Sequence, residues 1–224
     1  MADHIDLVRR SLRDTTRSEF DRRVDEQAAR LTDALRAGRL DNPNFALGIE
    51  LEAYAVDDDR RLTRVPEPVL EGPCEKELGR HNVEFNTNPS PFDGEGAVAQ
   101  ATQLQRHYRR VQQAADRAGT AIVLDAMWTI PPQGGTRAYL GDVCESEGIT
   151  IAENMTPSPR YAAIDNDVLD RIEGSITLSV PGIECQFPSI LFESLTSSIQ
   201  PHIQIPNAEA FPRYHNTAVR TLGP

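Results

Sequence analysis

Lysine is almost missing from this sequence. Among its 224 residues, Lys and Arg together number 23, and Lys76 is the single lysine, against 34 Asp and Glu. The formal net charge of −11 argues against a nucleic-acid partner, because the phosphates would be repelled. An acid excess with so little lysine is the surface composition that we expect of a halophilic protein in a high-salt cytoplasm.

Cysteine and long apolar runs are scarce as well. Cys74, Cys144 and Cys185 are odd in number and widely spaced, which argues against a disulfide framework or a zinc site and favours reduced thiols in a cytoplasmic protein. No stretch approaches the roughly 18 apolar residues that a membrane span needs, so we expect no membrane partner and no signal peptide. A glycine-rich phosphate loop and a convincing nucleophilic triad are also missing.

The N-terminal 40 residues predict two amphipathic helices. In the second helix, apolar residues recur every three or four positions, at Phe20, Val24, Ala28, Leu31 and Leu35. Gly38 and the turn Asp41-Asn42-Pro43 end this region. We therefore divide the chain into an N-terminal helical segment, residues 1–40, and a second unit, residues 41–224.

The next stretch, residues 45–56, is apolar and predicts a β-strand. Because strand side chains alternate between faces, Glu50 and Glu52 point the same way. Two carboxylates on one face repel each other unless a cation lies between them, and Mg²⁺ takes such oxygen ligands. The alternative is an ordinary edge strand with a solvated polar face. The aspartates that follow, residues 57–59, lack the spacing of a calcium loop and predict a plain acidic turn.

Two later strands repeat this arrangement of polar groups on one face. Val83 and Phe85 alternate with polar residues at Asn82, Glu84 and Asn86. Within a last strand region, residues 190–205, the polar face carries Gln200, His202 and Gln204. Each pattern alone is also compatible with a wet sheet face or an ordinary hydrogen-bonded histidine. If the three strands are neighbours, four carboxylates, counting Glu77, and one imidazole line one surface, which is stable only with metal ions.

Other segments predict framework elements. Asp93 is a suitable cap for a helix over residues 94–118, followed by Gly119 and a buried strand at residues 121–124. A short helix is expected from Ala208 to about Leu222. Between them, Arg160 and Tyr161 either clamp an anionic substrate or form a surface arginine packed on an aromatic ring.

Three segments resemble the metal-binding strands of the glutamate–cysteine ligase superfamily, which includes other carboxylate–amine ligases. They read GIELE at residues 48–52, ELGRHNVEFNTNP at residues 77–89 and SSIQPHIQ at residues 197–204. The family pattern is G-x-E-x-E, then an acidic residue seven positions before the glutamate of an x-x-E-x-x-T-x-P strand, then a strand with a central histidine. Glu77, Glu84 and Thr87 fit the second motif. The third motif departs from the family pattern, since Gln-Pro-His stands where relatives often have His-Val-His or Thr-Gln-Val-Asn.

The resemblance implies an α+β fold, in which an antiparallel sheet forms part of a glutamine synthetase-like half-barrel with helices on its outer side. Residues 41–224 would be the N-terminal portion of the ligase catalytic domain, in an apparently truncated chain. The implied enzyme uses ATP and Mg²⁺ or Mn²⁺ to join glutamate to cysteine or another amine through an acyl phosphate; a non-catalytic module of the same fold is the alternative.

The resemblance also implies roles for individual residues. The metal ligands would be Glu50, Glu52, Glu77, Glu84 and His202, with Glu84 also contacting the nucleotide. The substrate contacts would be Asn86, Thr87 and Gln204, and the catalytic pair would be Arg160 and Tyr161.

Overall fold

The computed structural model describes residues 2–221, in which helices alternate with short antiparallel strands. The chain begins with α1 (Ala2–Ser11), α2 (Asp14–Arg36), β1 (Ala46–Val56), α3 (Glu67–Leu70), β2 (Glu75–Lys76), β3 (Asn82–Asn86) and β4 (Ser90–Pro91). It continues with α4 (Gly94–Arg117), β5 (Ala121–Val123), α5 (Thr136–Leu140), β6 (Val143–Ser146), β7 (Ile149–Ala152) and α6 (Pro159–Arg171). Then follow β8 (Ile176–Val180), β9 (Ile183–Phe187), a 3₁₀ helix (Ile190–Leu195), β10 (Ile199–Ile203) and α7 (Phe211–Thr221).

The long strand β1 is the centre of a six-stranded sheet. It pairs with β3 and β4 along one edge and with β10 and β5 along the other, and β2 adds to β3. Every one of these pairings is antiparallel, and the sheet is open rather than closed into a barrel. The expectation of an α+β fold built on an antiparallel sheet is therefore confirmed. Two separate hairpins, β6–β7 and β8–β9, lie outside this sheet and were not predicted.

One face of the sheet packs against α4 and forms the main core. Ala53, Val83 and Phe85 are fully buried there against Val111 and Ala115 of α4. The predicted start of α4 is confirmed, since the Asp93 side chain accepts a hydrogen bond from the Gly96 main-chain nitrogen at 2.7 Å. This helix holds the sheet from one side and leaves the opposite face available.

The apolar stripe of α2 does not face the core, contrary to what its periodicity suggests. No residue of α2 is buried, and Phe20 is 65% exposed. Contact with α6 is made near the start of the helix, where Arg17 lies 2.8 Å from both Asp167 and Asp170. The amphipathic spacing thus predicts the helix correctly, but it does not show whether the apolar side of the helix packs against another part of the protein. Across residues 2–221, the helices fall short of the length and apolarity that crossing a membrane requires.

The predicted last strand region is shorter than expected. Residues Ile190–Leu195 form a 3₁₀ helix, and the strand itself spans only Ile199–Ile203. The reason is local, because the Ser189 side chain caps the turn by accepting a hydrogen bond from the Leu191 nitrogen. The final helix begins at Phe211 rather than at Ala208, and Leu222 lies outside the described residues.

Candidate metal and substrate site

The strand register places three glutamates in one row across the sheet. Glu52 of β1 lies directly opposite Glu84 of β3, and Glu84 lies opposite Glu75 of β2. Opposed residues of an antiparallel pair share a face, with Cβ atoms roughly 4.5–5.5 Å apart. The period of two in the sequence therefore predicted the common face of Glu52 and Glu84 correctly.

A second row lies two residues away on the same face. Glu50 is opposite Asn86 of β3 on one side and Gln200 of β10 on the other. Next to it, His202 is opposite Gly48, and its Nε2 lies 3.1 Å from Glu50 Oε2. The structure thus brings together the three strands that sequence analysis selected, with their polar groups on one surface.

The fourth predicted ligand, Glu77, reaches this surface from the end of β2. Together with Glu52 it lines a cleft of about 310 Å³, whose other walls include Asn82, Glu193 and Ser198. We call Glu50, Glu52, Glu77 and Glu84 the acidic face. It combines a half-open sheet surface with an adjoining cleft, which is the shape expected of a small-molecule site.

In this conformation each carboxylate bonds to its own neighbour. Glu52 accepts hydrogen bonds from the Ser198 nitrogen and from Gln200 Nε2, each at 3.0 Å, and Glu84 accepts one from Asn86 Nδ2 at 2.8 Å. Over the described part of the chain, no three His, Cys, Asp or Glu side chains lie close enough to ligate one ion as they stand. A shared cation would require these carboxylates to turn toward one another.

Electrostatic repulsion is nevertheless present on the acidic face. Burial raises the pKa of Glu84 above its ordinary value, and the charges of Glu50, Glu77 and Glu52 raise it further, although the Asn86 hydrogen bond opposes them. Like charges directly opposite each other destabilise a sheet. The donor set of four carboxylates and one imidazole fits a hard divalent cation, which would relieve this repulsion.

Comparison with known protein families assigns most of the chain to one family. The family model of glutamate–cysteine ligase family 2 matches residues 46–224, which include all the strands of the site. The chain belongs to glutamate–cysteine ligase family 2. The family match begins at β1, so α1 and α2 precede it. Comparison with curated proteins gives no match.

Among solved structures, the chain is similar to the glutamate–cysteine ligase of Francisella tularensis in complex with AMP. The two share 13% sequence identity, and the TM-score is 0.42. The similarity covers 82% of this chain and 31% of the Francisella protein, so the chain spans about a third of the length of that enzyme.

The structure places the three residues that the family resemblance implied as substrate contacts in different surroundings. Asn86 lies on the acidic face opposite Glu50. Gln204 follows β10, and its main-chain nitrogen donates a hydrogen bond to the main-chain oxygen of Ala46 at 2.8 Å. Thr87 does not turn toward the acidic face, because its Oγ1 exchanges hydrogen bonds with the nitrogen and oxygen of Ile49. Its role in the structure is to lock β3 onto β1.

The predicted catalytic pair opens α6. Tyr161 is half-buried and packs in the cluster around Leu140 and Leu191. Burial raises the pKa of Tyr161, the Glu77 charge raises it further, and the Arg160 charge opposes both. Arg160, in contrast, is exposed at the surface.

Sequence reasoning missed residues that the structure adds to the site. Glu75 completes the row with Glu52 and Glu84, and Glu193 and Ser198 line the cleft. Glu75 was detectable, since it stands two residues before Glu77 and period two puts both on one face. Glu193 was not, because the 3₁₀ helix that carries it was predicted as part of a strand.

Proposed function

We propose that this chain carries the metal-binding strands of an ATP-dependent carboxylate–amine ligase, with glutamate as the acid and cysteine as the amine. The observation that carries the proposal is the row of Glu52 and Glu84, with Glu50 and His202 beside it on the same face. A sheet does not gain stability from such a row, so its presence indicates a ligand that needs carboxylates. Family membership over residues 46–224 supports this reading.

The acidic face fits Mg²⁺, or Mn²⁺ in its place. The ligands would be Glu50, Glu52, Glu77 and Glu84, with His202 as a further donor. A bound divalent cation would supply neutralisation of the charge on phosphoryl oxygens. The strands β1, β3 and β10 fix the spacing of Glu50, Glu52, Glu84 and His202, so these side chains could hold the cation at one position.

The chemistry explains why carboxylates matter more here than a nucleophile. A carboxylate is a poor acyl donor, because its leaving group would be oxide. Attack of the substrate carboxylate oxygen on the γ-phosphorus of ATP forms an acyl phosphate and releases ADP. The amine then attacks the carbonyl carbon, loses its proton and expels phosphate.

The remaining residues would position substrates around this centre. Asn86 and Gln204 would contact the acid substrate, Glu84 would also contact the nucleotide, and Arg160 would stabilise anionic oxygen with Tyr161 beside it. We propose a high-salt cytoplasm as the location of the protein, on the ground of its net charge of −11 and its single lysine.

The proposal is tested by measuring ADP release in the complete polypeptide that contains residues 1–224, with ATP, Mg²⁺ and glutamate. Cysteine and a panel of other amines are compared. We expect release that requires glutamate and is lost in Glu52→Gln but not in Asp58→Asn, a turn aspartate outside the site. Release with a different amine would identify another carboxylate–amine ligase. If no amine supports ADP release, the protein would instead be a non-catalytic binding module of the same fold.

A further inference from the structure

Three basic side chains converge on a second cavity beside the acidic cleft. Arg64, Lys76 and Arg80 line a space of about 190 Å³ together with apolar residues of the same region. They come from separate stretches: the extended segment before α3, the strand β2, and the turn that leads into β3. Lys76 is the single lysine of the sequence. We call this space the basic cavity.

These cations have no carboxylate partner of their own. In the part of the chain that the structure describes, none of Arg64, Lys76 and Arg80 takes part in an ion pair. Glu67 is the one acidic residue in the lining, so three positive groups face one negative group. Arg64 and Lys76 are exposed and Arg80 is half-buried, so the lining carries a local excess of positive charge in a protein whose net charge is −11.

Arg80 is held in place before any ligand arrives. Its Nε donates a hydrogen bond to the Met155 oxygen at 2.9 Å, which leaves its two terminal nitrogens for another acceptor. Its main chain bonds to the Asn154 oxygen and to the Val65 nitrogen. A guanidinium that is already oriented loses little conformational entropy when it binds an oxyanion.

The charges of Arg64 and Arg80 reach the same buried phenol. Burial raises the pKa of Tyr139, and both arginines oppose that increase. The two guanidinium groups therefore act on one small region of the molecule. This agrees with their common place in the lining of the basic cavity.

We propose that the basic cavity binds one oxyanion, a carboxylate or a phosphate group. Arginine offers a planar fork of N–H donors to such a group, and lysine adds a point charge. A volume of about 190 Å³ is large enough for one such group. Asn82 lines both the basic cavity and the acidic cleft, so the two spaces share one wall.

The test is calorimetric titration of the full chain with inorganic phosphate and, separately, with glutamate, at constant ionic strength and without divalent cations. Arg64→Gln/Lys76→Gln removes two charges from the cavity and spares Arg80, whose Nε bond supports the fold. Arg60→Gln/Arg61→Gln removes the same charge from the neighbouring turn, outside the lining. We expect the first pair to weaken binding by about tenfold or more, as the loss of charge-assisted hydrogen bonds implies, and the second by less than about twofold.

The two probes distinguish the sources of the anion. Saturable binding of phosphate alone, lost in the cavity variant, assigns the site to a free phosphate group, and binding of glutamate alone assigns it to a substrate carboxylate. Equal losses in the two double variants, or no saturable binding of either probe, would overturn the proposal. Because neither ATP nor metal is present, such a failure leaves the proposed ligase reaction untouched.

Discussion

The two faces of β1 have opposite effects on the stability of the sheet. On one face, Ala53 is fully buried against Phe85 and α4, and this contact needs nothing beyond the chain itself. On the other face, Glu52 and Glu84 stand directly opposite each other at a net electrostatic cost. One face therefore holds the fold together, and the unfavourable charges on the other are the reason for proposing that it binds a ligand.

The polar face itself divides into an open part and a closed part. Glu50 and Glu52 are half-buried, whereas Tyr54, next on the same face, is fully buried. The Tyr54 hydroxyl donates a hydrogen bond to the Leu195 oxygen at 2.8 Å, at the end of the 3₁₀ helix. The 3₁₀ segment thus covers the polar face at one end and leaves the acidic end accessible.

The largest expected effect concerns the core face. Phe85→Ala removes a fully buried ring and should lower the free energy of unfolding by about 3–5 kcal/mol. Phe20→Ala, on the exposed stripe of α2, is the matched control and should change it by less than about 0.5 kcal/mol. Chemical denaturation measures both. Similar losses would mean that α2 is covered in solution and that the core is not where we place it.

The second effect tests the closed end of the polar face. His81 is fully buried between the Tyr139 hydroxyl, 2.7 Å from Nδ1, and the Ser194 oxygen, 2.9 Å from Nε2. Burial lowers the pKa of His81 to about 4, so the unfolded state takes up a proton first as the pH falls. The free energy of unfolding should therefore be highest above about pH 6.5 and fall as the pH is lowered to 4, by up to about 3 kcal/mol.

The matched control for this pH effect is His81→Gln, which does not titrate. The difference in unfolding free energy between the two proteins should shrink as the pH falls from 6.5 to 4, whatever other groups contribute. A difference that stays constant over this range would show that His81 is solvated and that the closed end is open.

The smallest effect tests the acidic face without metal. The pKa of Glu84 is raised above its ordinary value of 4.5, so the folded state holds this proton more tightly than the unfolded state. Its charge should therefore cost stability once the pH rises above about 4.5, and Glu84→Gln should recover less than about 1 kcal/mol there, because the group is partly exposed. The measurement is thermal unfolding of the unmodified protein, Glu84→Gln and the control Asp58→Asn at pH 7 and pH 4. The gain in stability should appear only in Glu84→Gln and only at pH 7. A loss of stability in Glu84→Gln at pH 7 would contradict a repulsive face.

Local patterns predicted the elements that position the site. Period two placed Glu50 and Glu52 on one face, and Asp93 identified the start of α4. The predicted acidic turn at residues 57–59 is also present, since the main-chain nitrogen of Arg60 donates a hydrogen bond to the Asp57 oxygen. These features depend on neighbours in sequence, which is why they could be predicted from sequence alone.

The errors concern features that depend on distant parts of the chain. The apolar stripe of α2 does not show what lies against it, and no residue of this helix is buried. The segment Ile190–Leu195 has strand-like composition, but it folds as a 3₁₀ helix over the Tyr54 end of the sheet. Only the tertiary arrangement decides these cases.

The central claim, that the acidic face binds a divalent cation, is tested most directly by calorimetric titration with Mn²⁺. We expect one saturable site that Glu52→Gln/Glu84→Gln weakens by about tenfold or more, since on our proposal each carboxylate would be a direct ligand. Asp58→Asn/Asp59→Asn removes the same charge from the exposed turn and should leave the affinity within about twofold. Equal weakening by the two double variants, or no saturable binding at all, would contradict the account and reduce the acidic face to a solvated sheet surface.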